Sequence, residues 1–291
     1  MSGYWSGILA ILAINVIFAY AIFVTAAAGQ LNLGGAGFMA IGAYSAAWLS
    51  AEFGLAPMLS VTAAVAVTAG VGFLIAFPVL RTRGVYMVLA TFAFAQVVTG
   101  VVLIRPELGG AMGLVVVDYV PLPVLLAAAV AVTVLMFFLM ATRFGLAMRA
   151  IHDDEQVSTI MGVNARAVQV ATFAIGGALA GLAGGLYAHH FSFVEAQYFS
   201  ALLSIYVLLF VLIGGTQTAW GPLVGAAFFT LVPEFLRLGG SWRYVVFGAI
   251  IVLMMIFRPE GIVTRTLVAR LSPARLFRPA RAPAAGGVDA G

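Results

Sequence analysis

From one polar break to the next, this chain runs on apolar residues for about the thickness of a bilayer. The runs occupy roughly 8–28, 33–50, 57–79, 85–104, 121–141, 166–188, 198–213, 220–236 and 242–257. About 20 mostly apolar residues in a helix cross the hydrocarbon core of a membrane. Within that core every backbone N–H and C=O must be satisfied inside the segment, so runs of this length are helices. A soluble surface is not available: 8% of the 291 residues are charged and 64% are hydrophobic, whereas a soluble domain carries about a quarter charged residues. The expected fold class is an all-α integral membrane protein, a polytopic helical bundle of about nine transmembrane spans.

Arginine placement orients the bundle, because cytoplasmic loops carry the excess of basic residues. With the C-terminus in the cytoplasm, nine spans put Arg81, Arg83, Arg143, Arg149 and Arg166 in cytoplasmic loops. Arg258, Arg265, Arg270, Arg275, Arg278 and Arg281 lie in the tail, and Arg105, Arg237 and Arg243 fall on the other side. The N-terminus is then outside and the C-terminus inside; an even number of spans would move only the N-terminus. The first apolar stretch has no basic region before it and reads as a retained span, not a cleaved signal. The expected organisation is a transmembrane domain over 1–263, with a cytoplasmic segment at 143–165, followed by a basic Pro/Ala-rich cytoplasmic tail over 264–291. The first part of the tail can rest on anionic membrane lipid, and its end, PAAGGVDAG, reads as disordered.

Several chemistries are excluded by what the chain lacks. All 14 basic residues are arginine, so a Walker A loop, which requires lysine, cannot form. Any ATP that drives this protein is bound elsewhere, and the chain itself holds no cofactor. Without cysteine there is no disulfide or thiolate chemistry. The net charge of +4 comes from membrane edges and the tail, which is not a nucleic-acid surface. No nucleophile is paired with a base, so no catalytic residues are expected. Neither is a metal site: Asp153, Asp154 and Glu155 are adjacent and point in different directions on a helix, and His152 alone does not complete a ligand set. His189 and His190 read as interfacial. The span interiors carry almost no ionisable groups, which speaks against an ion-coupled carrier.

Three segments stand out from the apolar background. RFGLAMRAIHDDEQVSTIMG, 143–162, mixes apolar and charged residues and fits a short amphipathic helix on the membrane surface, ended by Gly162. Such a helix docks into a groove on a soluble partner, or else it is a solvated connector. Gly177, Gly181 and Gly185 recur every fourth residue, the small-xxx-small spacing that lets helices approach closely. In GQLNLGGAGFMAIGAY, 29–44, Gly34, Gly35 and Gly37 weaken a helix beside the amides of Gln30 and Asn32. This stretch is either a broken or re-entrant helix lining a solute path or a tight turn between spans. Gln96 is the most polar mid-span group of its run and is grouped with Gln30, Asn32, Gly34 and Gly35 as a candidate path residue.

Taken together, these segments resemble the permease subunits of bacterial branched-chain amino acid ABC importers, of the LivM type. Gly145, Ala147, Arg149, Ala150, Ile151, Asp154, Glu155, Met161 and Gly162 match that family's cytoplasmic segment. GGALAGLAGGLYAHH at 176–190 and the turn with Gly214, Gly215, Trp220, Gly221, Pro222 and Gly225 are similar to two further motifs, as are RTRGVYMVLATFAFAQ and FRPEG. Asn32, Gly35, Leu108, Thr159 and Gln217 depart from the family pattern. The resemblance implies a permease in the bacterial cytoplasmic (inner) membrane. Its implied partners are a second homologous permease, two cytoplasmic ABC ATPases that hold ATP and Mg, and an extracytoplasmic solute-binding protein. It further implies that Arg149, His152, Asp153, Asp154, Glu155, Met161 and Gly162 belong to a coupling helix seated in an ATPase. Branched-chain or similar hydrophobic amino acids are the implied solutes. The alternatives are a related permease for urea, short amides or other small acids, an ion-coupled transporter or channel, and a membrane scaffold.

Overall fold

The computed structural model of the chain describes residues 3–235, 242–257 and 261–264. Among these, eleven α-helices run in order: α1 (Gly3–Ala26), α2 (Gly35–Phe53), α3 (Pro57–Val79), α4 (Val85–Ile104), α5 (Leu122–Ala141), α6 (Arg143–Asp153), α7 (Glu155–Ile160), α8 (Ala165–Phe191), α9 (Ala201–Gly214), α10 (Trp220–Phe235) and α11 (Trp242–Phe257). All but α6 and α7 stand where an apolar run predicted a helix. α1, α3, α4, α5 and α8 are each long and apolar enough to cross a membrane. The expected tail lies outside the described residues from 265 onward, as do Arg237 and Arg258.

α2 is not among these five, and its surroundings explain why. Its sequence, GAGFMAIGAYSAAWLSAEF, is built from small residues, and it packs against α1, α3, α4 and α8. A helix enclosed by protein needs close neighbours rather than a lipid-soluble surface. α8 supplies the closest of them. A Cβ on Gly177 would stand 2.7 Å from the Thr68 carbonyl oxygen of α3, and one on Gly176 would stand 2.8 Å from the Ala21 carbonyl oxygen of α1. Gly42 of α2 abuts the backbone of Gly181, and Gly184 abuts that of Met39. Gly185 is less constrained, with Val61 and Ala46 at 3.3–3.4 Å from such a Cβ. The stripe read from the sequence thus faces chiefly α3, while Gly176 and Gly184, which it did not include, carry contacts to α1 and α2.

The periphery is built on the opposite rule. Leu74 on α3, Val97 on α4 and Phe138 on α5 are exposed, as apolar groups facing lipid would be. The all-helical expectation missed one small feature. β1 (Leu114–Val115) pairs antiparallel with β2 (Phe193–Val194). Val116 N–H donates to Ser192 O at 3.0 Å and Val120 N–H to His189 O at 3.1 Å, so the α4–α5 and α8–α9 connections are tied at one end of the bundle. His189 is fully buried there, with Ser60 Oγ 3.1 Å from its Nε2 and Gly185 O 3.0 Å from its Nδ1. It is buried within the protein near the end of α8. Its neighbour His190 sits against Tyr119 and the Val120 carbonyl.

The α8 contacts make a direct prediction. Gly177→Val should destabilise the protein by about 2 kcal/mol or more, because the added atoms meet backbone that cannot move aside. Gly70→Ala on α3, where nothing lies within 4 Å, should be neutral or raise stability slightly. Thermal unfolding of the two variants in detergent measures the difference.

Candidate functional site

The polar segment begins at a tight corner. A Cβ on Gly145 would lie 2.6 Å from the Met140 Cα and carbonyl oxygen, so glycine lets α6 fold back against the last turn of α5. Met148 and Ile151 are buried on its inner face. Arg149 also turns inward, and its Nη2 donates to Met140 O at 2.9 Å. A cation suits the C-terminus of α5, where carbonyls lack helical donors and the dipole is negative. Arg149 therefore braces the corner, while His152 and Asp153 are exposed.

The single helix expected over 143–162 is two helices. Asp154 takes an extended backbone (φ −159°, ψ 111°) and its Oδ1 accepts from Gln156 N–H at 2.8 Å and Val157 N–H at 3.0 Å. It thereby ends α6 and caps α7, satisfying N–H groups that a new helix leaves unpaired. Gly162 (φ +86°) closes α7, where Val163 N–H reaches Ser158 O at 3.0 Å. Asn164 Oδ1 then caps α8 through Ala167 N–H at 3.0 Å. The outer surface of this turn is mixed: Asp153, Asp154 and Glu155 lie beside Ile160, 82% exposed, and Met161, 79% exposed. Arg83 lies 3.9 Å from Glu155. Both are exposed, so the pair adds little stability, but it puts the α3–α4 connection and α7 at the same end of the bundle.

That end also holds the break between α1 and α2. The expected broken or re-entrant helix near 29–44 is resolved into a non-helical passage from Ala27 to Gly34 and a continuous α2 from Gly35. A Cβ on Gly29 (φ +77°) would be 3.4 Å from the His152 Cα, so the passage leans directly on the end of α6. The chain then enters the interior. Gln30 is 2% exposed and its Oε1 accepts from Thr172 Oγ1 of α8 at 3.3 Å; its Nε2 is buried with no hydrogen-bond partner among the described residues. Leu33 N–H donates to Thr91 Oγ1 of α4 at 3.0 Å, Gly34 N–H to Asn32 Oδ1 at 2.7 Å, and Ala36 N–H to Ser204 Oγ of α9 at 2.7 Å. A helix that starts inside a bundle cannot leave its first N–H groups to water, and side chains from its neighbours serve instead. A Cβ on Gly34 would stand 3.2 Å from the Phe94 ring and one on Gly35 3.1 Å from the Phe18 ring, a fit that requires those rings to shift. Gln96 does not join this cluster; it is exposed on α4.

A cavity of about 450 Å³ at the other end of the bundle was not anticipated. α1 contributes Ile11 and Asn15, α9 contributes Leu203, Tyr206 and Phe210, and α10 contributes Thr230 and Glu234. Asn15 Nδ2 donates to Thr230 Oγ1 at 3.0 Å. The available signal was Asn15, a lone amide in the middle of the first apolar run, where polar groups mark function more often than packing.

A sequence model of the family described as branched-chain amino acid transport system / permease component matches residues 4–255. The chain is 30% identical over 277 residues to the high-affinity branched-chain amino acid transport system permease protein LivM of Escherichia coli K12, covering 82% of this chain and 64% of that protein. It is 25% identical over 159 residues to the permease protein BraD of Pseudomonas aeruginosa, covering 54% of this chain and 52% of that one. A third relative is the autoinducer 2 import system permease protein LsrC of Photorhabdus laumondii, 30% identical over 129 residues, 42% of this chain and 39% of that protein. The chain thus spans somewhat less than two thirds of the length of LivM. No solved structure matches it.

The buried start of α2 is testable without any transport assay. Ser204→Ala leaves the Ala36 N–H unpaired in the interior and should cost about 1–3 kcal/mol. Ser204→Thr keeps the hydroxyl and should recover most of that loss in a thermal unfolding measurement.

Proposed function

The chain belongs to the family of branched-chain amino acid transport permease components, and on that premise we propose that it is the membrane-spanning subunit of an ATP-driven importer. It carries branched-chain or similar hydrophobic amino acids across the inner membrane, received from an extracytoplasmic binding protein. It pairs with a second homologous permease, and two cytoplasmic ATPases supply the work, holding ATP and Mg themselves. The nine long helices make nine crossings, with the N-terminus outside and α6–α7 and the C-terminus in the cytoplasm.

One observation carries this reading: the exposed α6–α7 surface is seated on the α1–α2 break. A partner pressing on Ile160 and Met161 pushes a unit whose inner face, Met148 and Ile151, is packed into the bundle. The end of α6 touches Gly29, and the next residues lead to the buried start of α2. Displacement at the surface therefore reaches the helix that α1, α3, α4 and α8 enclose. Glu155, Met161 and Gly162 form the contact surface together with His152, Asp153 and Asp154, while Arg149 keeps the corner rigid. Gln30, Asn32, Gly34 and Gly35 form the hinge that alternates between outward- and inward-facing states.

One relative is named as an autoinducer 2 import system permease protein, which keeps other small solutes, among them urea, short amides and small acids, as the second reading of the substrate. An ion-coupled carrier would instead lose uptake when ionophores collapse the gradient and would ignore removal of the ATPases.

The docking surface predicts a clean separation of folding from coupling. Ile160→Asp combined with Met161→Asp changes two exposed side chains and should leave insertion and thermal stability unchanged. ATP-driven uptake should fall at least tenfold, and the ATPase subunits should no longer co-purify. Normal uptake by this variant at normal expression would remove α7 from the coupling scheme.

A further inference from the structure

A groove lies on the outer side of α3 and α8, at the end of the bundle that holds α6 and α7. Its volume is about 630 Å³, within the roughly 300–1,000 Å³ usual for small-molecule sites. Phe73 and Phe77 of α3 form one wall, with their rings edge to face at 5.0 Å. Ala167, Ala171 and Ala174 of α8 form the other, and their spacing of four and three puts them on one helix face. Short side chains beside two rings leave a trough that runs about 10 Å along α8. The lining is apolar along this length and polar at one end, where Asn164 and Arg166 lie.

Arg166 is the one charged residue among the described residues that line the groove. It is exposed, and among the described residues it has no ion-pair or hydrogen-bond partner. Arg149 and Arg83 differ in this, since the first donates to Met140 O and the second lies beside Glu155. Asn164 Oδ1 is committed to the Ala167 N–H, which leaves its NH₂ group as a further donor. A guanidinium presents a planar fork of donors that matches a phosphate. An apolar trough that ends at a free cation and an amide donor therefore complements a molecule with an anionic, phosphate-bearing head and an acyl chain. A free phosphate would leave the trough unfilled, and a neutral lipid would leave the cation unanswered.

We propose that this groove binds one anionic phospholipid, with the phosphate at Arg166 and Asn164 and an acyl chain against Phe73, Phe77 and Ala171. The site is separate from the surface at Ile160 and Met161 and from the α1–α2 break, and it does not depend on which solute the chain carries.

The chain contains no cysteine, so one introduced thiol brings a fluorophore to the groove. Leu74→Cys, an exposed position next to Phe73, is labelled with bimane, and the full chain is reconstituted in phosphatidylcholine bilayers. A minor share of the lipid carries a nitroxide quencher on its acyl chain, as phosphatidylglycerol, phosphatidylethanolamine or phosphatidylcholine. Phosphatidylglycerol should quench at about fivefold lower mole fraction than the other two, the scale of one arginine against anionic lipid. Val130→Cys on the exposed face of α5 should show no headgroup preference. Arg166→Gln should remove the preference at position 74, and so should Ala171→Phe, which fills the trough and leaves the cation. About 0.5 M salt should weaken it as well, which tests the charge without any substitution. Equal quenching by the three lipids at position 74 would overturn the proposal. So would the same preference at position 130, which would mark a general enrichment of anionic lipid around the protein. Preference that survives Arg166→Gln or high salt would remove the cation from the site, and preference that survives Ala171→Phe would remove the trough; either result overturns the assignment. Quenching by none of the lipids at position 74 would show a protein partner over the groove and overturn it too.

Discussion

At Gly176, Gly177, Gly181 and Gly184, α8 brings its backbone against α1, α3 and α2. Lipid is as apolar as the side chains of a membrane helix, so burial alone gives these helices little reason to associate. Close approach supplies the dispersion contacts that a bulkier interface would lose. From this follows the division of the bundle into a small-residue interior around α2 and α8 and a bulky apolar exterior on α3, α4 and α5. It also follows that α2 can begin inside the protein, because its neighbours are near enough for Ser204 to accept from Ala36 N–H in its first turn and for Thr91 to accept from Leu33 N–H just before it.

The proposed coupling runs through the buried start of α2. A regular span ends in the headgroup region and is satisfied by water. This one ends among protein side chains, and its preceding passage rests on α6. The corner at Gly145, braced by Arg149, fixes α6 against the end of α5. In this arrangement the exposed turn at Asp154 and the cavity between α1, α9 and α10 occupy opposite ends of one bundle.

Much of this was legible in the order of the residues, for stated physical reasons. The five helices long and apolar enough to cross a membrane, α1, α3, α4, α5 and α8, follow from uninterrupted apolarity and the need to satisfy backbone groups in lipid. A weakness was legible near residue 30, but the break falls over Ala27–Gly34, with Gly29 at φ +77°, while Gly35 and Gly37 lie inside α2. Other features were not legible. The split at Asp154 turns on one side chain choosing to cap a new helix instead of remaining on the face of the old one. Arg149 reads as a charge offered to solution, yet it folds back onto Met140. Gln96 reads as an interior amide and faces outward. In each case the residue type is compatible with both outcomes, and the neighbour that decides is distant in sequence or hidden in a turn.

What the sequence alone determined is the material of the molecule: helices, a bilayer as solvent, and a single charged segment between the fifth and sixth long helices. Tertiary structure decided which faces meet. It chose Gly176 and Gly184 as contacts beside the more evident Gly177 and Gly181, pressed α6 onto Gly29, and gathered Asn15, Thr230 and Glu234 around one cavity. The reason is that an apolar helix presents nearly equivalent faces to lipid and to protein. Its rotation about its own axis is set by the steric fit of neighbours, and that fit exists only once the helices are side by side.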